Sequence, residues 1–227
     1  MLHYKHHGGQ MITCKNNPIT REEELEMWNE FMDSIIGGDH KPLLETKNNK
    51  PIFKKFGKNQ QRERFVHGKK VEEQIKTIVR DVMDKKNKHA GVVYFMYTLQ
   101  DDNIIPLYIG KSEFTGRTRS LSANVASSPT GPFLRWGCRQ AYHMGDLHEA
   151  YTNKEGTPKY KDWVDAIFDD KGELKQEVYL HVHSFEKMKT PFFYWDLSVA
   201  QAENTMITWA GRLFPDTLLN RDGKSRF

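Results

Sequence analysis

Residues 92–109 read VVYFMYTLQDDNIIPLYI and contain the clearest strand and turn signals of the chain. Both flanks of this stretch are rich in β-branched and aromatic side chains, which favour extended strands. Asp101, Asp102 and Asn103 lie between the flanks, and Asp and Asn tolerate the backbone conformations of tight turns. The stretch therefore predicts a β-hairpin with strands over 92–98 and 104–109.

Outward from this hairpin, apolar residues recur at the spacing of amphipathic helices and of one further strand. A capping box formed by Thr20 and Glu23 opens the first helix, which Gly37 ends. Further helices are predicted over 70–87, over 133–144, over 160–168 and from 196 or 198 to 213, and a third strand over 177–185. This order predicts an α/β fold of the α+β type, in which helices flank a small, mainly antiparallel central sheet.

Basic residues are concentrated in the amino-terminal part of the chain. Residues 1–89 carry 18 Lys and Arg against 13 Asp and Glu, and within them residues 47–70 hold nine basic residues and one acidic residue. Such a segment is typical of surfaces that contact phosphates, although a solvated lysine-rich loop has the same composition. The predicted domains are an amino-terminal helical, basic extension, 1–88, and a domain 89–227 with an insertion near 112–132.

Composition excludes several classes of protein. The 227 residues contain no run of the ~20 apolar residues that a membrane helix needs. The two cysteines, Cys14 and Cys138, are too few for a disulfide framework or a cysteine-rich zinc site. These features predict a protein of a reducing compartment, the cytoplasm, with no membrane partner.

Several polar residues follow the hairpin in an order that carries chemical information. Tyr108-Ile109-Gly110 closes the second strand, and Val92-Val93-Tyr94 opens the first. Arg139, His143, Glu203 and Asn220 come later in the chain. This ordered set resembles the GIY-YIG nuclease family over residues 90–223. The second tyrosine motif matches fully, whereas the first has Val at the position of the family's glycine, with Gly91 adjacent.

Within that family the chain is most similar to the type II restriction endonucleases. These enzymes carry a Pro-x-Tyr-x-Gly-Lys strand, a polar insertion and then an Arg-x-x-x-His helix; here the strand ends in Gly110-Lys111 and the helix holds Arg139 and His143. Residues four apart share a helix face, which favours Arg139 as the phosphate-binding arginine. Compact relatives place the arginine soon after the glycine, which leaves Arg117 or Arg119 as the alternative.

Phosphodiester hydrolysis also requires negative charge to be stabilised, a task suited to a hard divalent cation held by one or two carboxylates. Glu203 aligns on its helix with Ile207 and Ala210, the side predicted to face the sheet, where a carboxylate without a partner or metal would be costly. We expect Glu203 to hold one Mg²⁺, or Mn²⁺, per active site.

The remaining site residues divide the work of proton transfer and orientation. The resemblance implies that the hydroxyls of Tyr94 and Tyr108 face the site, with Tyr108 orienting or deprotonating the water. A tyrosine has a pKa of ~10, so this role requires nearby positive charge, for which Lys111 is a further candidate. His143 is the rival base or proton relay. Asn220 is expected to orient Glu203 or the backbone of the site.

These expectations predict a Mg²⁺-dependent, site-specific endonuclease that cuts double-stranded DNA as a homodimer. A restriction role implies a cognate DNA methyltransferase and a bacterial or phage gene. A phage, mobile-element or repair nuclease is the alternative within the family, and a non-catalytic DNA-binding protein is the alternative outside it. The predicted DNA contacts are Lys54, Lys55, Arg62, Arg64, Lys69, Arg117 and Arg119.

The histidine pair of the third predicted strand requires a separate prediction. His181 and His183 lie two residues apart, so their side chains share one face of the strand. No further ligands stand at metal-site spacing, which makes a zinc site improbable. We expect both histidines at the surface or at the rim of the active site.

Overall fold

Helices and antiparallel strands make up an α+β fold, described by a computed structural model for residues 18–56, 58–60, 62–84, 89–113, 142–153, 157–186 and 198–221. The elements of this part of the chain are, in order, α1 (Arg21–Ile36), β1 (Thr46–Lys47), β2 (Lys50–Pro51), β3 (Phe53–Phe56), a 3₁₀ turn (Lys58–Gln60), β4 (Arg62–Phe65), α2 (Lys69–Asp84), β5 (His89–Gln100), β6 (Asn103–Glu113), α3 (Tyr142–Asn153), α4 (Pro158–Ile167), β7 (Tyr179–Glu186) and α5 (Val199–Leu213).

The predicted hairpin forms the centre of the main sheet, whose strand order is β6-β5-β7, all antiparallel. Asp101 and Asp102 have φ angles of 48° and 63°, the left-handed conformation that two-residue hairpin turns require. The register shifts after Met96. Met96 pairs with Tyr108, whereas Tyr97 pairs with Pro106, so that Leu107 is skipped. Proline has no N–H to donate to the ladder, so this irregularity lies where the strand tolerates it.

Alternate residues of β5 point into two cores, one on each side of the sheet. Val92, Tyr94 and Met96 pack with apolar residues of α2, α3 and α4. Val93 and Phe95 pack on the other side with α1 and α5. The central strand is therefore buried on both faces, which explains its continuous apolar sequence.

The helix ends follow the capping signals where the structure describes them. Thr20 accepts a hydrogen bond from the Glu23 backbone N–H and completes a capping box, and Gly37 ends α1 in the left-handed conformation. Ser198 caps α5 in the same way with Gln201. The predicted helix over 133–144 falls mainly outside the described residues, which resume where α3 begins at Tyr142.

Two small hairpins, β1–β2 and β3–β4, occupy the basic segment, in which no strands were predicted from the sequence. Asn48 and Asn49 form the first turn with φ angles of 53° and 61°. In the second hairpin Phe53 pairs with Phe65, which is fully buried against the core of α2, α3 and α4. The described part of 1–88 thus packs into the same two cores as the central sheet.

Amide side chains cover part of both edges of the main sheet. On the β6 edge, Asn220 donates from Nδ2 to the Ile109 carbonyl at 2.7 Å and accepts from the Ile109 N–H at 2.9 Å. On the β7 edge, Gln74 makes the corresponding pair with Val182 at 3.1 and 3.4 Å. These contacts satisfy backbone groups that an open edge would expose.

Candidate active site

A pocket of about 340 Å³ opens beside β6, where the start of α4, the side of α5 and the carboxyl-terminal segment meet. Three of the predicted site residues, Tyr108, Glu203 and Asn220, line it together. They come from a strand, a helix and the segment after that helix, so the fold alone brings them together. The other lining residues are Lys159, Asn204, Ile207, Leu219 and Arg221.

The hydroxyl of Tyr108 contacts a cation that was not predicted from the sequence as a site residue. Lys159 donates from Nζ to the Tyr108 hydroxyl oxygen at 3.1 Å, and the same ammonium lies 4.5 Å from the centre of the tyrosine ring. Trp163 belongs to the same cluster, with its ring centre 4.9 Å from that of Tyr108. The only sequence signal for Lys159 is its place at the start of a helix, directly after Thr157 and Pro158.

Tyr94 lies beside Tyr108 on the same side of the sheet, as the strand register requires. Their ring centres are 6.3 Å apart, and Tyr94 is 5% exposed. The Tyr94 ring covers Gly110, its cross-strand partner, so closely that a Cβ at Gly110 would lie 2.5 Å from the Tyr94 hydroxyl oxygen. Glycine is therefore the residue that lets Tyr94 reach this position.

Glu203 stands on α5 at the border between the buried and exposed sides of the helix. Ile207 and Ala210, on its own side, are 4% and 0% exposed, whereas Glu203 is half-buried and lines the pocket. It is the only carboxylate among the described pocket-lining residues. No group of three or more His, Cys, Asp or Glu side chains within the described ranges is arranged to hold a metal. One carboxylate is nevertheless a sufficient protein ligand for Mg²⁺, which keeps most of its waters.

Asn220 and Arg221 form the floor and rim of the pocket. Asn220 is 6% exposed and directs its amide at the Ile109 backbone, between Tyr108 and Gly110. Arg221 bonds Asp162 of α4 through Nε at 3.1 Å and Nη2 at 2.6 Å. This ion pair, which was not predicted from the sequence, connects the segment after α5 to α4.

Other predicted site residues stand elsewhere or lie outside the described part of the chain. Lys111 lies on β6, opposite Val93 of β5, and does not line the pocket. His143 lies in the first turn of α3. Arg139, Arg117 and Arg119 fall outside the described residues.

The expectation for the histidine pair of β7 is wrong for His181. This residue is 6% exposed, opposite Phe95, and neither of its ring nitrogens has a hydrogen-bond partner among the described residues. Burial lowers the pKa of His181 to about 3 and that of His183 to about 4. Both rings are held neutral inside the fold, because helices cover the two faces of the sheet.

Predicted DNA contacts cluster on the β3–β4 hairpin and the start of α2. Lys54 and Lys55 are exposed, and Lys54 pairs in register with Arg64. Lys69 is exposed at the first position of α2. The hairpin is anchored by Phe65, which packs against α3, so its cations stand on a fixed support. Arg62 belongs to β4, opposite Phe56.

Comparison with known proteins adds no relative to this picture. No protein-family model matches the chain, and neither a curated protein nor a solved structure matches it. Within the described ranges, no helix has the length and apolar character needed to cross a membrane. The resemblance to GIY-YIG nucleases therefore stays a prediction.

Proposed function

We propose that this protein is a metal-dependent endonuclease of the GIY-YIG type that cuts double-stranded DNA at specific sites. The observation that carries the proposal is the pocket that joins Tyr108, Glu203 and Lys159. A phenol can orient a water molecule, a carboxylate can bind a divalent cation, and an ammonium group can stabilise negative charge. Arg221 lies at the rim, where its charge is balanced by the Asp162 carboxylate.

Glu203 is the residue that would hold the metal. Glu203 is half-buried on α5 and lines the pocket, and Mg²⁺ or Mn²⁺ accepts a site with one carboxylate completed by water and phosphate oxygens. When bound, the cation supplies Lewis-acid stabilisation of the phosphate and of the leaving oxygen. The donor set of the pocket therefore fits one metal ion per site.

Tyr108 is the proposed group that orients the attacking water and takes its proton. Positive charge beside a phenolic oxygen stabilises the phenolate form, and Lys159 stands at hydrogen-bond distance from that oxygen. Tyr94, packed beside it, keeps the Tyr108 ring in place. His143 remains the alternative proton acceptor, since histidine titrates near neutral pH.

Stabilisation of the phosphate in the transition state is assigned to an arginine. Its guanidinium stays charged and offers a planar set of donors to the phosphate oxygens. We propose Arg139 for this role, with Arg117 as the alternative. Asn220 acts as a positioning residue, because its amide fixes the backbone at Ile109 between Tyr108 and Gly110.

The proposed substrate is double-stranded DNA bound by two copies of the chain. One such pocket cuts one strand, so a symmetric double-strand cut is most simply made by a dimer with a two-fold axis. The exposed cations of the β3–β4 hairpin are the proposed phosphate contacts. A restriction role would pair the enzyme with a DNA methyltransferase of the same specificity.

Digestion of a supercoiled plasmid with Mg²⁺, followed by run-off sequencing of the ends, tests this proposal. Discrete fragments with symmetric ends at one short sequence support a restriction-type endonuclease. Nicking or random degradation supports a nuclease of another role. DNA binding without any cleavage would contradict the enzyme assignment and favour a binding protein.

A further inference from the structure

We propose that Lys159 is a further functional residue of this pocket, which holds the Tyr108 hydroxyl and stabilises charge on it during the reaction. The inference rests on the proposed function. It assigns a role to a residue outside the ordered set that resembles the GIY-YIG family. Its direct basis is the 3.1 Å hydrogen bond from Lys159 Nζ to the Tyr108 hydroxyl oxygen. Both side chains line the same pocket as Glu203.

The backbone of Lys159 is anchored on three sides. Pro158 occupies the first position of α4 and fixes the backbone where the helix begins. Further along the helix, Trp163 and Ile167 are both fully buried in the core. Asp162 ties the helix to Arg221 at 2.6 Å. Lys159 therefore approaches Tyr108 from a rigid element, which is the condition for reproducible positioning of a charge.

Charged and titratable groups from four elements contact Tyr108 or line the same pocket. Lys159 comes from α4, Tyr94 from β5, Glu203 from α5 and Arg221 from the carboxyl-terminal segment. Glu203 opposes negative charge on the phenol, whereas Lys159 favours it, and the charge of Arg221 is balanced by Asp162. Lys159 is the cation whose hydrogen bond to the hydroxyl is direct, so its removal should have the largest effect.

A packing role is the competing explanation. The Lys159 ammonium also lies 4.9 Å from the Trp163 ring centre and 5.7 Å from that of Tyr160, so it contributes cation–π contacts to the start of α4. A lysine kept only for these contacts would affect the stability of the fold and leave the pH dependence of the reaction unchanged. The two roles therefore differ in a measurable way.

The proposed step has a complete balance of atoms and charge. Tyr108 first loses its proton to solvent, and Lys159 stabilises the phenolate. The phenolate oxygen then takes one proton from the attacking water, whose oxygen forms the new bond to phosphorus. The bridging P–O bond breaks, and the leaving alkoxide takes a proton from solvent. Tyr108 ends as the neutral phenol, hydrogen-bonded to Lys159 as in this structure.

The pH dependence of plasmid cleavage by Lys159→Met, Lys159→Arg and Lys161→Met tests the inference. Lys161 is exposed on the same helix and serves as the matched control. We expect Lys159→Met to lower kcat by about 10²-fold at neutral pH, near the lower end of general-base effects, with KM little changed. Its rising limb of kcat against pH should move to higher pH, and Lys159→Arg should restore most of the rate.

A second measurement does not depend on cleavage. In protein labelled with ¹³C at the tyrosine ζ carbon, the signal lost in Tyr108→Phe belongs to Tyr108. We expect this signal to titrate at higher pH in Lys159→Met than in the wild type. An unchanged titration and an unchanged pH profile would overturn the role of Lys159, even if the wild type cuts DNA. A wild type that fails to cut would instead contradict the proposed function, while the titration still decides the role of Lys159.

Discussion

The ring of Tyr94 lies directly over Gly110 across the β5–β6 pair. A Cβ at Gly110 would stand 2.5 Å from the Tyr94 hydroxyl oxygen and 2.7 Å from Cε2, closer than real Cβ contacts allow. This relationship explains in physical terms why glycine follows Tyr108-Ile109. It also couples the two tyrosines, because any shift of Tyr94 changes the surface against which Tyr108 packs.

Gly110→Ala should therefore destabilise the fold and impair the site. Overpacking a core costs about 1–3 kcal/mol, and we expect a loss of this size in the free energy of unfolding. Urea denaturation of Gly110→Ala, Tyr94→Ala and the double variant measures it. In the Tyr94→Ala background the added methyl meets no ring, so its cost should largely disappear. Equal costs in both backgrounds would show that the Tyr94 ring is not what excludes the methyl group.

Asn220→Ala should destabilise the protein and slow cleavage, because it leaves the buried N–H and carbonyl of Ile109 without their partners. Each buried polar group left in this way costs about 1–3 kcal/mol. Gln74→Ala, which removes the equivalent pair at the β7 edge, is the matched control. We expect Gln74→Ala to lower stability with cleavage retained. Loss of cleavage in both variants, in proportion to stability, would contradict a local role for Asn220 at the pocket.

The local elements of this fold could be predicted from the sequence because local chemistry determines them. Three examples depend only on residues a few positions apart. They are the turn at Asp101 and Asp102, the capping box of Thr20 and the end of α1 at Gly37. The side of α5 on which Glu203 lies could be predicted as well, since the helix periodicity places Glu203 on the same side as Ile207. Asn48-Asn49 is a comparable turn signal. The hairpin there was not predicted, because the flanking lysines do not show the apolar alternation of a strand.

Contacts between distant residues could not be predicted in this way. Lys159 and Tyr108 are 51 positions apart, and no spacing rule relates the start of α4 to β6. His181 shows a different limit. Its alternation with apolar residues predicted one exposed face, but α1 and α5 cover that face as well. Strand periodicity identifies two faces and does not tell how many of them are covered.

Acid should destabilise this protein through its buried histidines. The pKa of His181 is lowered to about 3 and that of His183 to about 4, so the folded state binds fewer protons than the unfolded state between pH 6.5 and about 4. Stability is therefore complete above pH 6.5 and is lost as pH falls through this window. We expect a loss on the order of 2 kcal/mol per histidine between pH 7 and pH 5.

The variant His181→Phe tests this account, because phenylalanine keeps the ring against Phe95 and removes the titrating group. Urea denaturation at pH 7 and pH 5 should show a smaller acid loss in the variant than in the wild type. The same acid loss in both proteins would mean that His181 does not contribute to it.

The basic hairpin should determine the salt dependence of DNA binding. Replacing Lys54, Lys55 and Lys69 by glutamine removes three exposed cations, and each lost phosphate contact should flatten the slope of log affinity against log salt by about 0.9. Binding to specific and random DNA should weaken alike. A charge-matched control replaces three exposed lysines of the carboxyl-terminal half: Lys161, Lys171 and Lys175. A slope equal to that of the control would return the hairpin to a solvated surface without DNA contacts.

The metal dependence of the site is tested by the cleavage rate of Glu203→Gln on supercoiled plasmid with Mg²⁺, measured beside its affinity for the same DNA in chelator. Glutamine keeps the size of the side chain and removes the anionic ligand, whereas Glu26→Gln on the exposed side of α1 is the control. We expect Glu203→Gln to lose several orders of magnitude in rate with DNA binding retained, and the wild type to be inactive in excess chelator. Wild-type cleavage by Glu203→Gln, or full activity in chelator, would contradict a metal-dependent site built on Glu203.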